Sequence, residues 1–172
     1  ETIEITIESV DKGSEITLQK KTVTIFNDEN VPTVTLSTNP ANISETGGAS
    51  IVTAALSTAS GKEVVVNLKK GGTATDISDY SFSKMQITIP AGQITGSVTL
   101  SATHATLDED DEIVTVDIDT VVNGDKAPTS QEKPVKILDN DEPPSVTLSI
   151  VGSSSLGEPT GTTQVKAALN VV

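Results

Sequence analysis

Leu107-Asp108-Glu109-Asp110-Asp111-Glu112-Ile113-Val114-Thr115-Val116-Asp117-Ile118 joins five consecutive carboxylates to a run in which apolar residues recur at every second position. Val114, Val116 and Ile118 share one face and Thr115 and Asp117 the other, the two-residue period of a half-buried β-strand. The acids ahead of the strand repel one another and are tolerated where solvent or a cation neutralises them. A second acidic group, Asp139-Asn140-Asp141, closes another β run, Val135-Lys136-Ile137-Leu138, and Pro143-Pro144 follows. The two stretches read as loops at one end of a β-sandwich that converge on calcium. On composition alone, a pair of solvated acidic loops is the competing reading.

The same alternation runs through the rest of the chain. Ile3, Ile5 and Ile7 share a face; so do Val52, Ala54 and Leu56, then Val64, Val66 and Leu68, then Val98, Leu100 and Ala102. Turn residues separate these runs: Asn39-Pro40, Gly47-Gly48, Gly61, Gly71-Gly72 and Pro90-Ala91-Gly92. A loop is expected from about Thr120 to Glu132. No segment sustains a helical apolar period, so the fold class is all-β.

Composition narrows the function. The 172 residues carry a net charge of -13 and no arginine, which speaks against nucleic acid and against anionic membranes. With no cysteine, disulfides, thiolate metal sites and thiol catalysis are excluded. No apolar stretch is long enough for membrane insertion as a helix. No nucleophile–base pair is visible, so a non-enzymatic role is expected. His104 is the single histidine and has no cysteine or second histidine beside it, which speaks against a metal or catalytic role. Tyr80, Phe82 and Met85 read as core or core edge.

The chain also repeats itself. Thr22-Val23-Thr24-Ile25-Phe26-Asn27-Asp28 parallels Pro134-Val135-Lys136-Ile137-Leu138-Asp139-Asn140, and Thr33-Val34-Thr35-Leu36-Ser37 parallels Ser145-Val146-Thr147-Leu148-Ser149, both 112 residues apart. Glu1-Thr2-Ile3-Glu4-Ile5 likewise matches Glu112-Ile113-Val114-Thr115-Val116. The expected organisation is the last strands of one repeat over 1–29, a complete repeat over 30–142, and the first strands of another over 143–172.

Read in order, several pieces resemble the Calx-β repeat. They are Ile43-Ser44-Glu45-Thr46-Gly47, Gly72-Thr73-Ala74-Thr75 with Ser78-Asp79-Tyr80, Pro90-Ala91-Gly92, the acidic run ending Asp111-Glu112, and Ile137-Leu138-Asp139-Asn140-Asp141. The resemblance implies a seven-stranded, immunoglobulin-like antiparallel β-sandwich, repeated in tandem, with calcium held by loops at its distal end. By position it implies Glu45, Asp79, Glu109, Glu112, Asp139 and Asp141 as ligands, with Asp108 and Asp110 as neighbours able to substitute. Calcium takes six to eight oxygen ligands, which several carboxylate loops supply. Two departures remove charge: His104, Ala105 and Thr106 stand where calcium-rich members carry further aspartates, and Asn140 stands in the middle of the exit triplet.

The expected function is a calcium-stiffened structural repeat of a long extracellular stalk, adhesin or filament on a cell surface, bacterial by its composition. Its partners would be neighbouring repeats and other chains reached through open strand edges. A regulatory calcium sensor and a carbohydrate-binding accessory module are the alternatives. The first would carry the full acidic complement, and the second would want more exposed aromatic side chains than Tyr80 alone.

Overall fold

The computed structural model describes residues 1–14, 17 and 19–170, and every regular element among them is a β-strand. The chain divides into two compact units, Glu1–Asn30 and Val31–Val172. In the first, β1 (Thr2–Thr6) and β2 (Lys20–Thr24) form an antiparallel hairpin with Ile3 opposite Val23. A Lys20–Glu4 ion pair of 2.6 Å crosses it. Its apolar face is open: Ile3 is 50% and Ile5 56% exposed.

The second unit contains a two-sheet sandwich. One sheet has the order β4 (Asn42–Ser44), β12 (Lys133–Leu138), β10 (Glu112–Val122), β6 (Val64–Gly72), β8 (Gln86–Ile89). The other runs β11 (Asp125–Lys126), β3 (Thr33–Asn39), β5 (Ala49–Leu56), β9 (Thr95–Ala102), β7 (Tyr80–Phe82). Every second residue of the long strands enters a single aliphatic core that includes Val34, Val52, Val66, Leu100, Val114, Val116 and Val135, all fully buried. Tyr80 is buried at its edge, and Phe82 and Met85 pack against it as expected. Ten strands replace the seven implied by the resemblance; the additional three, β4, β7 and β11, are pieces of two or three residues.

The loop expected from Thr120 is not a plain loop. β10 continues to Val122 across a register shift between Ile118 and Thr120, which restores Val121 to partial burial against the core. Then β11 pairs in parallel with the start of β3, and Ala127 N–H donates to the Val34 carbonyl at 3.0 Å. Where this edge runs out, a side chain replaces it. Gln131, 2% exposed, accepts the Leu36 N–H through Oε1 at 2.7 Å, while its Nε2 donates to the carbonyl and hydroxyl oxygens of Thr129. A glutamine standing in for a strand leaves no periodicity in the sequence to detect.

A last hairpin pairs β13 (Val146–Val151) with β14 (Gln164–Leu169). Val146 faces Leu169 and Leu148 faces Ala167, the register in which β3 and β5 pair Val34 with Leu56 and Leu36 with Ala54. In the same way, Ile3 faces Val23 in the first hairpin as Val114 faces Val135 between β10 and β12. The difference is burial, since Leu148 is 74% exposed where Leu36 is 4%.

Gln131→Leu preserves volume but strands the buried Leu36 N–H. It is expected to lower unfolding free energy by about 1–3 kcal/mol in chemical denaturation, the cost of an unsatisfied buried donor. An unchanged midpoint would show that the Leu36 N–H finds another acceptor.

Candidate metal centre

Alternation carries three carboxylates to the rim of the core. Past Ile43 the next residue in phase is Glu45; past Ile137 it is Asp139; and one step ahead of Val114 it is Glu112. Each therefore stands one inward position beyond an apolar run. Glu45 is buried, at 5% exposure, and Glu112 and Asp139 are partly buried. This signal was present in the sequence: an acid in phase with a core face is a candidate to close the end of a sandwich.

Backbone geometry fixes each one. Glu45 N–H donates to the Leu138 carbonyl at 3.1 Å, extending the parallel pairing of β4 with β12. The chain then turns so tightly that a Cβ on Gly48 would stand 2.4 Å from the Ser44 carbonyl oxygen. Gly72, at φ +111°, lies so close to β10 that a Cβ would meet the Ile113 carbonyl oxygen at 2.0 Å. Thr73 continues the clamp, its N–H donating to the Ile113 carbonyl and its hydroxyl accepting the Ile113 N–H, both at 2.9 Å. The Gly-Thr-Ala-Thr motif thus ties the Asp79 turn to the strand that begins with Glu112. Asp79 closes that turn by accepting the Thr75 N–H through its carboxylate, and its carbonyl accepts the Thr103 N–H at 2.8 Å.

These groups meet around a pocket of about 10 Å³, roughly the space one water or small ion needs. Glu45, Asp79, Glu109, Asp110, Glu112 and Asp139 line it. Asp108 does not; it lines a second, larger depression with Leu107, Glu109, Asp141 and Glu142. Asp141 is not in that lining but forms a group with Glu45 and His104 whose donor atoms lie within 4.8 Å of one another. His104 Nδ1 stands 3.1 Å from Glu45 Oε1. Asp111, the acid left out of the implied ligand set, is a brace: it pairs with Lys136 at 2.5 Å and accepts the Asp139 N–H at 3.1 Å. Asp117 lies outside the site, between Lys126 at 2.7 Å and Lys69 at 3.3 Å.

The electrostatics are those of crowded, part-desolvated anions. Burial, with the charges of Asp79, Glu109 and Glu45, pushes the Glu112 carboxyl up to about 7. Burial also raises Glu45, where His104 works against it and Asp139 and Asp141 reinforce it. Asp111 moves down, held by Lys136 and the Asp139 amide. For Asp117, burial pushes up but its lysines and the Ile118 N–H win, leaving it lowered. Asp139 Oδ1 and Asp141 Oδ2 are buried and have no hydrogen-bond donor. Buried polar atoms are rarely left so; one orphaned carboxylate oxygen in the pocket's lining, on Asp139, and one in the adjoining group with Glu45, on Asp141, fit a hard divalent cation such as calcium. Glu45, Asp79, Glu109, Asp110, Glu112 and Asp139 from the lining, with Asp141 beside Glu45, are the residues able to hold it.

The two-sheet fold is shared with known proteins. The Calx-beta domain family model matches residues 27–141, and the chain belongs to that family. Among solved structures, the apo-form Calx CBD1 domain aligns with a TM-score of 0.52 at 19% identity, covering 63% of this chain and 99% of that one. Calcium binding domain CBD12 of CALX1.1 aligns with a TM-score of 0.54 at 20% identity, over 63% of this chain and 46% of that one. CBD12 from CALX1.2 aligns with a TM-score of 0.53 at 13% identity, over 78% and 68%. At these identities the likeness is one of fold. No curated protein sequence matches the chain.

A pH dependence follows from the raised carboxyls. Because the Glu112 pKa rises on folding from 4.5 to about 7, the folded state binds the proton more tightly, so its stabilising contribution is complete below 4.5 and lost as pH rises through 7. Glu45 acts in the same direction. In chelator, the melting temperature should therefore fall between about pH 5 and pH 7.5, and Glu112→Gln should flatten that fall. A flat profile in the parent protein would count against the crowding of charge described here.

Proposed function

We propose that the chain is a non-enzymatic calcium-binding structural repeat, and that calcium stiffens it within a tandem array forming an extracellular stalk, adhesin or filament at a cell surface. The observation that carries the calcium reading is the pair of donor-less buried oxygens on Asp139 and Asp141 among converging carboxylates. Hard oxygens from several loops meet calcium's demand for ligand number and charge, and the cation offsets the burial and the neighbouring charges that raise Glu112. Membership of the Calx-beta domain family, and a fold shared with calcium binding domain CBD12 of CALX1.1, support it.

Support for the tandem array comes from the two hairpins. Each repeats the register of a strand pair in the central sandwich, with apolar residues at the positions that the sandwich buries. The organisation put forward is thus 1–29 and 143–172 as parts of adjoining repeats around a complete repeat over 30–142. Neighbouring repeats are the natural partners, and the open hairpin edges also suit strand addition by another chain. Proline at Pro32 and at Pro143-Pro144 restricts the residues before it, which suits joints stiffer than glycine-serine linkers.

Calcium at a hundredfold excess over its dissociation constant should stabilise the protein by roughly 2.7 kcal/mol if only the folded state binds it. The melting temperature should rise accordingly, and superimposable melts in calcium and in chelator would overturn the calcium reading. Calorimetric titration should further show weaker calcium binding for Asp139→Ala and Glu45→Ala, with Asp117→Ala unchanged.

A further inference from the structure

The loop end holds a nitrogen donor among its carboxylates. His104 is the single histidine of the chain, its side chain is about half exposed, and Nδ1 points to within 3.1 Å of Glu45 Oε1. Donor atoms of Glu45, His104 and Asp141 all fall within 4.8 Å of one another. Ligands around one zinc-sized ion, at about 2.0–2.2 Å from it, stand roughly 3–4 Å apart, so small side-chain adjustments bring these three onto one ion.

The chemistry of this corner differs from that of the rest of the site. Asp79, Glu109 and Glu112 offer oxygen only, the preference of calcium. An imidazole nitrogen beside two carboxylates is instead the donor set of zinc and its first-row neighbours. Two features besides the imidazole call for a cation here. The Glu45 carboxylate is almost wholly buried, and Asp141 Oδ2 is buried without any donor. His104 can satisfy one Glu45 oxygen by hydrogen bonding, but it does nothing for Asp141 Oδ2.

We infer that Glu45, His104 and Asp141 form a subsite for a zinc-class divalent ion beside the oxygen-only calcium corner. The inference rests on the reading of this loop end as a cation site and assigns one part of it to a different metal. The half-exposed ring leaves a solvent-facing side from which water can supply a fourth ligand. Glu45 and Asp141 serve both corners, which makes the two ions sensitive to one another, because the carboxylates that bind one are the nearest charges to the other.

The test is titration of zinc chloride into the 172-residue chain, calcium-free and calcium-saturated, followed by heat and by NMR of the imidazole. With one histidine the ring signals are unambiguous. Stoichiometric zinc should shift them, and His104→Ala should weaken zinc binding by at least about tenfold, the loss that even an outer-shell partner can cause. Zinc that leaves the ring signals unmoved, or that binds His104→Ala as tightly as the parent, overturns the proposal and leaves His104 as a hydrogen-bond partner of Glu45. The parent ring signals decide the matter even if the variant folds poorly. Calcium titrated into the same samples separates the two readings: zinc lost with calcium kept rejects the subsite alone, whereas calcium lost with zinc kept rejects the calcium site alone.

Discussion

The end of the sandwich depends on charge held where the β alternation would place hydrocarbon. Ile43, Val114 and Ile137 are core residues, and Glu45, Glu112 and Asp139 are the next positions in phase with them. A strand cannot turn one such residue outward without turning its apolar neighbours outward too. The hydrophobic core therefore holds the carboxylates in place. Two unit charges 4 Å apart repel by about 4 kcal/mol at an effective dielectric of 20. Several such pairs would rival the whole stability of a domain, typically about 5–15 kcal/mol. Proton uptake by Glu112 and Glu45, or a bound cation, is the relief open to the fold.

Holding mutually repelling loops together takes bracing from groups outside the pocket. Asp111 does this from within the acidic run, directed away from the pocket toward Lys136 while anchoring the Asp139 amide. Gly72 and Thr73 lash the Asp79 turn to the start of β10 at a backbone distance no side chain at position 72 would permit. Five adjacent acids thus have different roles. Glu109, Asp110 and Glu112 line the pocket, Asp111 braces it, and Asp108 faces elsewhere.

The hairpins separate what a strand pair specifies from what a sandwich adds. Ile3 faces Val23, and Val146 faces Leu169, in registers that the central strands also adopt. Pairing of this kind follows from alternation and the backbone alone. Burial does not, because it needs a facing sheet: Val116 is fully buried, whereas Ile5, its counterpart in the first hairpin, is 56% exposed.

From the sequence, the all-β class, the core positions and the two acidic loops were legible, since each rests on a period of two or on a run of like charge. Glu45 and Asp79 came from the family resemblance, and the structure brings both to the pocket's lining. The strand substitute at Gln131, the brace at Asp111 and the approach of His104 to Glu45 were not legible. Each is a contact between residues 28 or more positions apart, set by how two sheets close and by which loops then meet. His104 is the sharpest case. Its neighbours in sequence are Thr103 and Ala105, and only the closing of the sandwich places a buried carboxylate beside its ring. Local pattern determined which residues face inward; tertiary structure decided which charges share a space, because that depends on distances no one-dimensional period encodes.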